Sequence, residues 1–244
     1  MRKTLPMFLA LLFTAALTLA PFSYALAETT YDTELVVNGG AESGTDTNPV
    51  PGWTDEAGNI WGSGGVFSDW PAPPAGSRYF FLYNPDMEAS QPYRTGYLSQ
   101  MITLSGTEST GLFANIDAGN VSMHFTVSMY KKLSTGNEAK IIIEQYSASD
   151  ALLETSNLVT TSAGSGSFST YELNTQLNAA TRKIKVRMYA YVTKGGYALF
   201  DSISLKLMDA SAKSAPAFGS DFPTSGTTNA GVAYSHGFTI TDAD

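Results

Sequence analysis

The chain has 244 residues, no cysteine, 15% charged residues and a formal charge of −8. That acidic balance, without a basic cluster, argues against a nucleic-acid partner. The lack of cysteine excludes disulfides and thiol chemistry, so the fold must be held by core burial, for which the length suffices. In chain order, residues 1–27 have the layout of a secretory signal peptide: Arg2 and Lys3, an apolar run over 7–20, and the small-residue triplet Ala25-Leu26-Ala27. Cleavage before Glu28 removes two cations and leaves a formal charge of −10. No later apolar stretch is long enough to span a bilayer, so the mature chain is expected to be extracellular or at the cell surface without inserting into the membrane.

Beyond Glu28 the apolar residues recur every second position, which is strand chemistry. Segments 35–37, 78–82, 97–104, 121–130, 140–147, 168–177, 183–192 and 198–207 read as strands, and no segment reads convincingly as a helix. Segment 54–74 reads as a long aromatic loop with a short strand around Ile60. In the 121–130 segment, Val121, Met123, Phe125, Val127 and Met129 share one face. In the 183–192 segment, Ile184, Val186, Met188, Ala190 and Val192 point inward, while Lys183, Lys185, Arg187, Tyr189 and Tyr191 point outward. These alternations predict an all-β sandwich. The character changes after Met208, so residues 28–208 are taken as one domain, 209–217 as a linker, and 218–244 as the truncated start of a second β-sandwich.

Asn38-Gly39-Gly40-Ala41-Glu42-Ser43-Gly44 followed by Pro51-Gly52-Trp53 resembles the opening of galactose-binding-like jelly-roll domains, the fold of many carbohydrate-binding modules. The segment from Tyr97 through Gln100 to Leu104 and the run Leu199-Phe200-Asp201-Ser202-Ile203-Ser204-Leu205 resemble the middle and closing strands of that family. The likeness spans residues 31–208 and implies a jelly-roll β-sandwich. The tail, with Ala215-Pro216-Ala217-Phe218 and Phe238-Thr239-Ile240-Thr241-Asp242-Ala243-Asp244, resembles the start of bacterial immunoglobulin-like or cadherin-like repeats. It implies further domains of the same polypeptide beyond Asp244.

The resemblance also implies a structural calcium, with Glu42 and Asp201 as carboxylate ligands beside backbone carbonyls near Asn38; calcium takes hard oxygen donors of this kind. For a saccharide, an aromatic face must stack on the apolar side of the ring while polar groups bond its hydroxyls. Trp61, Trp70, Tyr83, Tyr93 and Tyr97, with Arg78, Asn84 and Arg94, are the candidate ligand residues, whereas Trp53 after its Pro-Gly turn is assigned to the core. No catalytic residues are assigned. The favoured reading is a non-catalytic carbohydrate-binding module that meets a glycan or cell-surface polysaccharide. The alternative is a structural or adhesive domain of a larger surface protein. A third reading is a polysaccharide lyase-like enzyme, for which His124 would have to share a sheet face with Arg187, Tyr189 and Tyr191.

Overall fold

The computed structural model describes residues 28–44, 50–56, 61–65, 69–85, 92–108, 111–132, 136–159 and 167–210. The signal peptide, Ile60, most of the 209–217 linker and the immunoglobulin-like start at 218–244 lie outside them. Among the described residues there are ten strands: β1 (Thr54–Asp55), β2 (Trp61–Gly65), β3 (Arg78–Tyr83), β4 (Tyr93–Thr103), β5 (Val121–Lys131), β6 (Glu138–Tyr146), β7 (Leu152–Val159), β8 (Ser169–Gln176), β9 (Lys183–Thr193) and β10 (Tyr197–Asp209). They form two five-stranded sheets, which we call A, in the order β1-β4-β9-β6-β7, and B, in the order β2-β3-β10-β5-β8. Neighbouring strands are antiparallel throughout. This is the expected jelly-roll sandwich.

The period of two decides which side chains face the gap between the sheets. Sheet B contributes Val121, Met123, Phe125 and Val127, all fully buried, and sheet A answers with Ile184, Val186, Met188, Ala190 and Val192, equally buried. Trp53 also joins this core. Its ring meets the Phe80 ring edge-on at 5.2 Å, and its indole N–H donates to the Val37 carbonyl.

Three expectations are corrected. Residues 35–37 form no strand. They run beside β10 past the end of its pairing with β3, where Leu35 N donates to Leu205 O, but the Glu34 carboxylate takes the N–H groups of Val36 and Leu205 and so interrupts a regular ladder. Among the described residues there is one short helix, α1 (Leu112–Asp117), which buries Leu112 and Ile116 against the sandwich. Its six residues are too few to display a helical period. Finally, His124 lies on β5 in sheet B, whereas Arg187, Tyr189 and Tyr191 lie on β9 in sheet A. Both rows point outward, so they stand on opposite faces of the sandwich, and the constellation required by the lyase reading does not form.

A bulge interrupts β10 between Asp201 and Ser204, with Ser202 at φ 52°. Such an irregularity bends the strand and redirects side chains. Here it lets the 38–42 turn close against the sheet, with Ile203 N donating to the Gly39 carbonyl at 3.0 Å.

Candidate functional site

The outer face of sheet A is built by the register of β4, β9 and β6. Tyr97 stands opposite Tyr189, which stands opposite Lys140; Ser99, Arg187 and Ile142 form the next row, and Met101, Lys185 and Glu144 the row after. Towards the other end, Tyr191 lies between Thr95 and Glu138, and Tyr93 stands across from Thr193. Because side chains two apart on a strand share a face, Tyr93 and Tyr97 of β4 interleave with Tyr189 and Tyr191 of β9. The rings of Tyr93 and Tyr191 stack at 5.2 Å, and those of Tyr97 and Tyr189 approach at 5.0 Å. Tyr93 is 51% exposed; the other three are half-buried. Among the described residues, none of these four phenol hydroxyls has a protein hydrogen-bond partner, in contrast to Tyr146, whose hydroxyl donates to Glu144.

Beside the tyrosines lies a charged floor. Glu56, which follows β1, accepts from Lys185 at 2.6 Å, Arg187 at 2.7 Å and Ser99 at 2.8 Å. Burial pushes its carboxyl up, but the bonds from Lys185, Ser99 and Arg187 outweigh burial and hold it down at about 2. Arg187 also donates to Glu144 at 3.1 Å, and its guanidinium lies 4.1 Å from the centre of the Tyr97 ring. Burial, reinforced by the bond to Glu144, pushes the Tyr146 hydroxyl up to about 12. Lys140 Nζ sits 4.8 Å from the centre of the Tyr189 ring. The arrangement offers aromatic surface, unpartnered hydroxyls and a fixed ionic floor.

The structure divides the sequence-derived ligand candidates. Tyr93 and Tyr97 are on this face. Trp61 is not, and its assignment is corrected: the register of β2 on β3 turns its ring into the core, where it is 2% exposed and 5.7 Å from the Phe200 ring. A ring so enclosed cannot stack on a ligand. Trp70 and Tyr83 lie on the outside of sheet B, where Trp70 stacks on Tyr197 at 4.2 Å and meets Tyr83 edge-on at 5.5 Å. With Tyr79, Tyr130 and Leu199 they make a second apolar cluster, whose rings are largely consumed by one another. Arg78 bonds the Ser63 carbonyl, buried Asn84 pairs through its backbone with Gly195 and Gly196, and Arg94 donates to the Tyr83 carbonyl. These three therefore tie strands and turns together. Tyr189 and Tyr191 were visible in the sequence as outward residues; their place beside Tyr93 and Tyr97 depends on strand pairing.

The expected calcium ligands are brought together in part. An added methyl at Gly40 would lie 3.7 Å from Asp201 Oδ1 and from the Glu42 Cγ methylene, and both side chains bond the 75–78 turn, so the two residues are neighbours. Glu42 accepts from the backbone of Ser77 and Arg78 and from the Ser77 hydroxyl. Asp201, fully buried, accepts from Ala75 N and Ser202 N. Burial, with the Glu42 charge adding to it, pushes Asp201 up to about 6. Each carboxylate retains lone pairs of the hard-oxygen kind that calcium takes, but the pair supplies only part of the roughly 6–8 oxygen ligands such an ion needs. The Asn38 side chain is taken up within its own turn by Ser43 and Pro51, and its carbonyl accepts from Ala41 N and, at 3.4 Å, from the Trp53 indole N–H, so the expected place of Asn38 beside a metal is not supported. Among the described residues, no cluster of three or more His, Asp or Glu side chains is suited to a metal, and no helix is long and apolar enough to cross a membrane.

No family model and no curated protein matches the chain. Solved structures do. A family 16 carbohydrate-binding module is similar over 70% of this chain and 98% of its own, at 15% identity and a TM-score of 0.47. TmCBM61, solved in complex with β-1,4-galactotriose, is similar over 72% of this chain and 99% of its own, at 15% identity and 0.45. The CBM22-1 xylan-binding domain of Paenibacillus barcinonensis Xyn10C is similar over 75% and 99%, at 16% identity and 0.39.

Proposed function

We propose that the outer face of sheet A binds a carbohydrate chain without cleaving it, as a module of a secreted or cell-surface protein. The observation that carries this reading is the row Tyr93, Tyr191, Tyr189 and Tyr97, set by the register of two adjacent strands, with hydroxyls that no group among the described residues engages. Aromatic rings match the apolar faces of pyranose rings, and hydroxyls and Lys140 supply directional bonds to the sugar's rim. The paired length of β4 and β9, eleven residues each, suits an extended polymer better than a small metabolite.

Binding rather than cleavage is the reading supported by Glu56 and Glu144 at the centre of this face; a further carboxylate there, Glu138, pairs with Lys140. Glycoside hydrolysis requires one carboxyl that holds a proton near neutral pH to donate to the leaving oxygen. Glu56 is held far below that range, and both it and Glu144 are bonded to Arg187. Neither is arranged to deliver a proton.

The same proposal includes a calcium ion at Glu42 and Asp201. Its contribution would be to join the 38–42 turn to β10 in a chain with no disulfide.

The test is retention on a panel of immobilised polysaccharides, comparing the full chain with Tyr97→Ala and Tyr189→Ala after circular dichroism has established that both fold. Each substitution is expected to weaken binding about tenfold, equivalent to ~1.4 kcal/mol. Folded variants that bind as well as the parent would overturn the site, and silence of the parent on every glycan would leave the structural or adhesive reading in its place.

A further inference from the structure

We propose that this face selects uncharged glycans and discriminates against polyuronates, an inference that rests on the carbohydrate-binding reading above. Strand β9 presents Lys183, Lys185 and Arg187 outward, and β6 adds Lys140. On composition alone such a strip would attract acidic polymers. The tertiary structure cancels it.

Among the described residues, every one of these cations is answered by a carboxylate. Lys183 pairs with Asp150 at 2.7 Å. Lys185 and Arg187 share Glu56, and Arg187 also holds Glu144. Lys140 faces Glu138 at 3.8 Å. Four cations thus meet four carboxylates.

A uronate arriving here would have to displace a carboxylate already bonded to the same cation. It would exchange one ion pair for an equivalent one and be desolvated in doing so. It would also approach a chain of formal charge −8, which repels polyanions at long range. A neutral polymer meets neither obstacle, because stacking and hydroxyl bonding need no surplus charge. The longest of the five pairings belongs to Lys140, whose Nζ stands over the Tyr189 ring, where it can donate to a sugar hydroxyl.

The experiment is calorimetric titration of the full chain with neutral oligosaccharides of xylose, galactose, mannose and glucose, and with oligogalacturonate and oligomannuronate. At least one neutral series is expected to bind, with the uronates at least tenfold weaker. Affinity for the neutral ligand should change less than about twofold as the Debye length falls from about 30 Å at 0.01 M salt to about 3 Å at 1 M. Glu138→Gln leaves Lys140 unanswered and should raise the ratio of uronate to neutral affinity about threefold at low salt, an increase that salt abolishes. Uronates binding as tightly as neutral chains would overturn the selectivity while leaving the binding reading intact. An unchanged ratio in Glu138→Gln would overturn the charge-cancellation mechanism. Binding of neither class would overturn the carbohydrate reading itself, and the selectivity with it.

Discussion

Arg187→Met removes the guanidinium at the centre of the sheet A face while keeping an unbranched stem of similar reach. The arginine donates to Glu56 and Glu144, with side-chain exposures of 20%, 23% and 12% for the three residues in that order. Glu56 keeps Lys185 and Ser99 after the change, but Glu144 keeps only the Tyr146 hydroxyl, so most of the loss should come from Glu144. Removing one partner of a fully buried pair costs about 3–5 kcal/mol and of an exposed pair about 0–1. This intermediate case should cost about 2 kcal/mol at neutral pH. With a urea dependence of about 2 kcal/mol per molar, the unfolding midpoint falls by about 1 M.

Adding Glu144→Gln to Arg187→Met removes the stranded charge, so the double variant should recover about half of the loss; the two changes are expected to be non-additive. The pH dependence has a definite sign. The folded-state pKa of Glu56 is depressed, so its contribution is complete above the unfolded value near 4.5 and is lost as pH falls towards about 2. The share of the gap between parent and Arg187→Met that Glu56 carries should therefore be lost over that interval, so the gap narrows. A midpoint shift below about 0.25 M, or a gap that persists unchanged at pH 2.5, would refute the network as a source of stability.

Other changes probe the remaining assignments. Trp61→Ala should cost about 3–5 kcal/mol in urea unfolding because it empties a core site, whereas Trp61→Phe should be far milder, since the indole N–H has no partner among the described residues; if Trp61→Ala is as stable as the parent, the buried placement is wrong. Asp201, raised by burial to about 6, should make the chelated protein lose about 2 kcal/mol as pH rises from about 4 to about 6, because the folded carboxyl holds its proton more tightly than the unfolded one. Asp201→Asn should flatten that profile in urea titrations, and added calcium should raise the parent's melting temperature at pH 7 but not the variant's. Gly39→Ala would place a methyl 1.9 Å from the Ile203 carbonyl and should cost about 3 kcal/mol by chemical denaturation; a neutral outcome would contradict the close approach of the 38–42 turn to β10.

Much of this molecule is written in a local period. The alternation in β5 and β9 identifies the inward residues without knowledge of any partner, because a strand turns successive side chains to opposite sides whatever it pairs with. The absence of cysteine, the acidic balance and the outward Lys183-Lys185-Arg187-Tyr189-Tyr191 series are likewise visible in one dimension. Strand β7 escaped notice because, as an edge strand, it buries no residue fully and mixes Glu154, Thr155, Ser156 and Asn157 into its apolar pattern.

Pairing partners are another matter, since they are set by contacts between residues far apart in the chain. Only the order of strands in the sheets puts His124 and Arg187 on opposite faces. Only the register Trp61↔Leu82 turns Trp61 inward, and only the register Tyr97↔Tyr189 assembles the tyrosine row. The sequence by itself determined the β class, the inward residues of its clearest strands and the supply of aromatic and charged side chains. The tertiary structure decided which of those side chains meet, because alternation specifies a side of a strand, while a binding face and the cancellation of its charge arise from the neighbours on either side.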